Sequence, residues 1–205
     1  PQNLINTVRP QFNIDGPENI ASYQITIAQD LHFNKIVYDG EYLNKKVNLP
    51  WTFEPENPYN GLFPNTPYYY KIILQDGSGN NLDIELEDGI NRSSFAIEPV
   101  YLEYPNNQSI NIPLNVTFTW DGPLSITGYL LEITDAQDTD FNDTQISIPV
   151  KGAMSFQYSY DGDYPLEHEE TYFWRVLPMD FADNTGPSSS YPQAYQFTTL
   201  EYAEL

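Results

Sequence analysis

The sequence has no cysteine among its 205 residues. Disulfide staples, zinc–thiolate sites and cysteine nucleophiles are therefore excluded. Histidine is almost as scarce: His32 and His168 lie far apart, in segments that read as surface loops, with no zinc-type spacing. Basic charge is sparse too, with 8 Lys and Arg against 29 Asp and Glu, a net charge of −21. Phosphate backbones require clustered Lys and Arg, so nucleic acid is not an expected partner. An anionic membrane surface is disfavoured for the same reason. No apolar run approaches the roughly 20 residues of a membrane-spanning helix, so no membrane insertion is expected. No leader segment is legible at Pro1, and the sequence reads as a piece of a larger parent chain with flanking domains.

What is present points to packed β-structure. Hydrophobic residues make up 40%, enough for a core, and 17 Tyr dominate the aromatics. Tyrosine and β-branched residues suit pleated, half-buried strands. The 17 Pro and 11 Gly supply turns between many short strands.

The chain repeats itself. Phe12, Ile14, Asp15-Gly16-Pro17, Ile20 and Tyr23 recur 106 positions later as Phe118, Trp120, Asp121-Gly122-Pro123, Ile126 and Tyr129. Ile25 and Ile27 continue in register with Leu131 and Ile133. Leu62, Tyr68, Tyr70, Lys71, Ile72 and Asp76 then match Leu166, Tyr172, Trp174, Arg175, Val176 and Asp180 at a spacing of 104. Phe95 matches Phe197 at 102. The spacing drifts where loops change length, as surface loops tolerate. The reading is two domains, 1–98 and 99–205, with a seam near Glu98-Pro99 too short to be a floppy tether.

Within each copy, alternation with period 2 predicts strands. Tyr23, Ile25 and Ile27 share a face, as do Tyr68, Tyr70, Ile72 and Leu74. Tyr129, Leu131 and Ile133 do the same, and so do Tyr172, Trp174 and Val176. About seven strands per roughly 100 residues, without helical periodicity, predict an all-β chain of two tandem Greek-key β-sandwiches. Trp120 and Trp174 are expected in the second core, facing each other across its two sheets.

Several of these residues resemble the fibronectin type III, immunoglobulin-like pattern. They are a Trp on the second strand (Trp120), a Tyr opening the third (Tyr129), and a Leu six residues before a Tyr on the sixth (Leu166 and Tyr172). The first copy keeps Tyr23, Leu62 and Tyr68 but has Ile14 at the Trp position. The resemblance covers nearly the whole chain and is to the divergent repeats of bacterial secreted and surface proteins. It implies tyrosine-corner roles for Tyr68 and Tyr172. It also implies a turn after the third strand at Ala28–Phe33 and Thr139–Phe141. The implied function is a non-catalytic extracellular or cell-surface module, acting as spacer, adhesion or presentation unit toward a protein or polysaccharide. The alternative is a carbohydrate-binding accessory module. No Arg-Gly-Asp tripeptide supports integrin-type adhesion.

The residues themselves offer few rival sites. No Gly-x-Ser-x-Gly elbow occurs. Gly77-Ser78-Gly79 lacks the Lys and helix of a phosphate loop and reads as a strand-joining turn. Catalytic and cofactor-binding residues are therefore expected to be none. Asp135, Asp138, Asp140 and Asp143 crowd into one loop, the best calcium candidate. The loop lacks the central Gly and terminal Glu of an EF-hand, and the alternative is a solvated turn capped by its own Asp side chains. Trp51, Phe53, Tyr59 and Phe63 could stack on sugar rings or close the end of a sandwich. Tyr69 and Phe173 point to the opposite sheet face from Tyr70 and Trp174.

Overall fold

The computed structural model describes residues 3–14, 20–43, 46–48, 62–82, 92–159, 164–180, 183–186 and 191–202. Among them every regular element is a strand. The N-terminal half contributes β1 (Asn3–Ile5), β2 (Gln11–Asn13), β3 (Ser22–Ala28), β4 (Ile36–Tyr42), β5 (Lys46–Asn48), β6 (Pro67–Gln75), β7 (Asn81–Leu82) and β8 (Arg92–Ile97). The C-terminal half contributes β9 (Tyr101–Tyr104), β10 (Ser109–Ile112), β11 (Thr117–Asp121), β12 (Gly128–Asp135), β13 (Ile146–Lys151), β14 (Ser155–Gln157), β15 (Thr171–Met179) and β16 (Tyr195–Thr199).

In the C-terminal half a sheet ordered β10-β16-β15-β12-β13 packs over a smaller one ordered β14-β11-β9. The chain changes sheet between β11 and β12, between β13 and β14, and again between β14 and β15, so the half is a Greek-key sandwich. The N-terminal half repeats the large sheet as β1-β8-β6-β3-β4, with β7 beside β6, and pairs β2 with β5 opposite it. One feature of both large sheets lies beyond periodicity: β1 and β10 run parallel to the closing strands β8 and β16.

The alternating faces lie where hydrophobicity placed them. Tyr23, Ile25 and Ile27 on β3, and Tyr129, Leu131 and Ile133 on β12, are buried. Tyr172, Trp174 and Val176 on β15 are buried as well. Burial on this scale is the dominant favourable term in folding. Val8, Phe12, Ile25, Ile27, Tyr68 and Phe95 belong to one core, and Phe118, Trp120, Leu131, Trp174, Val176 and Phe197 to another.

The indoles depart from expectation in one respect. Trp120 and Trp174 are buried on opposite sheets, but they do not pair with each other. Trp174 packs on Phe118, with centroids 5.0 Å apart, and Trp120 packs edge-on against Tyr129 at 5.4 Å. The register explains the offset. Trp174 lies beside Ile133, whereas Tyr129 lies beside Pro178, two pleats along the sheet. The two indoles therefore fill different layers of the core. Ile14, at the Trp120-equivalent position, follows the end of β2 and packs half-buried against the N-terminal core.

Candidate functional site

The acidic residues at the loop ends carry most of the chain's candidate chemistry. β12 ends at Asp135, and the loop that follows turns on two carboxylates. Asp138 accepts the backbone N–H of Asn142 at 2.9 Å and of Asp143 at 2.8 Å, and the Thr134 hydroxyl at 3.3 Å. Asp135 accepts the N–H of Gln137 at 2.8 Å and the side-chain amide of Gln145 at 2.6 Å. The N–H groups of Asn142 and Asp143 hold the Asp138 carboxyl below its ordinary range, because they bond its charged form. The loop is thus a turn capped by its own side chains. Among the described residues, no group of three His, Cys, Asp or Glu side chains is placed to hold a metal ion.

The turn ends on Phe141, which takes a left-handed conformation with φ 58°. That conformation is uncommon outside glycine. A cation from the neighbouring strand covers the ring: the Arg175 guanidinium lies 4.0 Å from the Phe141 centroid and 5.4 Å from that of Tyr191. Arg175 also donates to Glu132 at 2.7 Å, a pair that is largely buried and directly opposed across β12 and β15. The loop is therefore tied to the large sheet by a carboxylate, an aromatic ring and a guanidinium.

The N-terminal half builds the same device. Asp30 accepts the N–H of His32 at 2.9 Å and of Lys35 at 2.6 Å. Partial desolvation raises the Asp30 carboxyl, but the N–H groups of Lys35, Asn34 and His32 outweigh it and leave the group below its ordinary range. Phe33 stands at φ 57°, and the Lys71 ammonium lies 4.9 Å from its centroid. The two turns follow β3 and β12, the strands that open at Tyr23 and Tyr129 and that the type III resemblance counts as third.

The matched carboxylates Asp76 and Asp180 close a second pair of turns, through asparagine partners that the repeat alignment does not single out. Asp76 accepts the N–H groups of Ser78 at 2.8 Å and Asn80 at 2.9 Å, and the Asn80 side chain at 3.1 Å. Asp180 accepts the Asn184 N–H at 2.9 Å and its side chain at 3.2 Å. Asn80 and Asn184 stand at the same spacing as Asp76 and Asp180, so the repeat could have revealed them. Gly77-Ser78-Gly79 lies inside this turn, with Gly79 at φ 79°.

The remaining candidates separate. The His32 side chain is exposed, while His168 is half-buried, where Nδ1 meets the Leu200 carbonyl at 3.1 Å and the ring meets Tyr202 edge-on. His168 therefore pins the end of the last strand instead of lying free on a loop. Phe63 is half-buried and borders a cleft between the two halves. Tyr69 and Phe173 are half-buried. Trp51, Phe53 and Tyr59 lie outside the described residues.

No protein-family pattern and no curated protein matches the sequence. Solved structures similar to it in shape include the α-L-rhamnosidase of Dictyoglumus thermophilum, 17% identical over 50% of this chain and 12% of that one, with a TM-score of 0.37. The chicken CNTN1 FN1–FN3 domains are 13% identical over 98% of this chain and 62% of theirs, with a TM-score of 0.36. The BSP domain of a biofilm-associated protein is 10% identical over 100% of this chain and 29% of its own, with a TM-score of 0.29. This chain thus spans less than two thirds of each.

Proposed function

We propose that the chain is a pair of type III-like modules, residues 1–98 and 99–205, that serves a larger extracellular or surface protein as a non-catalytic spacer or interaction unit. The observation that carries this reading is the loop-locking device present in both halves. Asp30, Asp76, Asp138 and Asp180 direct their carboxylates at backbone N–H groups of their own loops. Lys71 and Arg175 lie over the aromatic rings of those loops. Polar groups so used stiffen a scaffold and present loop ends. The surface left for partners is acidic and tyrosine-bearing, suited to shallow contact with a protein or polysaccharide. A pull-down against the envelope of the source cell, run beside a glycan array, tests the reading. Capture of a protein partner without glycan binding supports it, and substrate turnover abolished by one carboxylate substitution would overturn it.

A second reading, a carbohydrate-binding accessory module, is favoured by one face. On the smaller C-terminal sheet, Ser155, Thr119 and Tyr104 stand in one cross-strand row. Tyr104 and Tyr101 on the edge strand β9 are both exposed. Hydroxyl-bearing side chains beside exposed rings are the chemistry that sugars stack on and bond to. Glycan binding lost in Tyr101→Ala or Tyr104→Ala, or in Trp51→Ala or Tyr59→Ala, would favour this reading over the first.

A further inference from the structure

We infer that the two halves are locked into one rigid body by a joint in which backbone, linker and core all take part. The linker leaves little slack. Ile97 is fully buried in the N-terminal core and Val100 is buried in the C-terminal core, so only Glu98 and Pro99 stand between two anchored side chains. Three peptide steps span at most about 11 Å. The Glu98 N–H is itself bonded to the Ile5 carbonyl at 3.1 Å.

A second connection lies far from the linker in sequence. Thr7 and Leu124 form a parallel β-bridge. The Val8 N–H donates to the Leu124 carbonyl at 3.1 Å, and the Leu124 N–H reaches the Asn6 carbonyl at 3.4 Å. The Thr7 hydroxyl also donates to the Leu124 carbonyl, at 3.4 Å. The segment carrying Leu124 leaves the Asp121-Gly122-Pro123 turn, which is held on its own side by the Gly122 N–H bonding the Asp121 carboxylate at 2.8 Å. The hydrogen-bonded contact therefore joins two fixed segments.

The third connection is apolar. Ile126, two residues beyond the bridge, packs against both cores. It lines the cleft between the halves with Val8, Leu62 and Pro64 on one side and Thr127 and Met179 on the other. Hinge motion about Glu98-Pro99 would break the bridge and pull Ile126 from one core. A short linker alone restricts reach, whereas a linker with a distant hydrogen-bonded bridge and a shared apolar residue restricts rotation as well. The pair thus presents its loop ends at a fixed spacing and angle. This follows from the joint and stands whether or not the proposed function does.

Residual dipolar couplings on the full chain test the joint. Amides of β3 and β12 should report one common alignment tensor, and the Val8 and Leu124 amides should exchange at least about tenfold more slowly than open-loop amides. Ile126→Asp should split the tensor in two. So should Leu124→Pro, which deletes one bridging N–H. Two tensors in the unsubstituted chain would overturn the inference, whatever the variants do. A single tensor persisting in both folded variants would overturn it as well, because bridge and shared residue would then not be what holds the halves. If a variant fails to fold, the unsubstituted chain's tensors and amide protection decide.

Discussion

The Tyr172 hydroxyl accepts the backbone N–H of Glu167 at 2.9 Å. Its counterpart Tyr68 takes the N–H of Phe63 at the same distance. Each ring stacks on the partner aromatic of the closing strand, Phe197 at 5.6 Å and Phe95 at 5.7 Å. These are the tyrosine corners the sequence pattern implied. Each fixes the chain where it enters its strand, β6 or β15. Tyr172→Phe and Tyr68→Phe keep the ring and leave a backbone donor without its partner, at a cost of about 1 kcal/mol or somewhat more. The urea midpoint should fall in both. Unchanged midpoints would remove the corner role.

Alkaline pH should destabilise the fold. Burial raises the hydroxyl of Tyr129 most strongly, with the Asp121 carboxylate adding to it, and burial raises Tyr68, Tyr172 and Tyr42 as well. A raised folded-state pKa means that the folded chain keeps protons the unfolded chain has released above about pH 10. Stability is therefore fully present below pH 10 and declines as pH rises above it. Thermal midpoints measured from pH 8 to 12 should show that decline, with less of it in Tyr129→Phe.

Gly122 is glycine because Tyr129 is beside it. A Cβ at Gly122 would lie 2.6 Å from the Tyr129 hydroxyl oxygen and 3.5 Å from a Val100 methyl. Gly122→Ala should cost about 1–3 kcal/mol, the range for overpacking a closed site. The Tyr129 hydroxyl is buried without a hydrogen-bond partner among the described residues. Tyr129→Phe should therefore be neutral or stabilising, and the double variant should recover much of the loss. A full additive loss in the double-mutant cycle would assign the clash elsewhere.

Trp174 is fully buried, between Phe118 at 5.0 Å and Tyr195 at 6.2 Å. Trp174→Ala should cost about 3–5 kcal/mol, enough to unfold a small sandwich near its threshold. Because Trp120 fills a different layer, Trp174→Ala should leave the Trp120 environment changed only through global unfolding. Tryptophan fluorescence followed through denaturation distinguishes these outcomes. A midpoint within about 0.5 kcal/mol of the parent would show that the assigned layer is wrong.

The Asp135–Asp143 loop should not respond to calcium. Asp138 and Asp135 already hold backbone and amide N–H groups that would have to be released before a cation could take their oxygens. Titration calorimetry and thermal scans at millimolar calcium should show no heat and no stabilisation. A rise in melting temperature that is lost in Asp138→Asn would make the loop a calcium site.

The all-β architecture, the faces of the principal strands and the corner tyrosines are legible in the sequence. Period-2 alternation depends on neighbours within a few residues, where covalent geometry dictates which side chains share a face, whereas the corner roles of Tyr68 and Tyr172 come from the Leu-x5-Tyr pattern of the type III resemblance. The turns at Ala28–Phe33 and Thr139–Phe141 are implied by the type III resemblance, and the Asp side chains that bond the backbone just beyond them show how each closes. Tertiary structure decided what depends on contacts far apart along the chain. It set which layer each indole fills, which cation covers each turn's phenylalanine, and how β1 and β10 pair with the closing strands. Above all it set the joint, where Thr7 meets Leu124 across 117 positions. No local pattern encodes that meeting, because the two segments belong to different sandwiches and only the packing of those sandwiches against each other places the backbones within hydrogen-bonding distance.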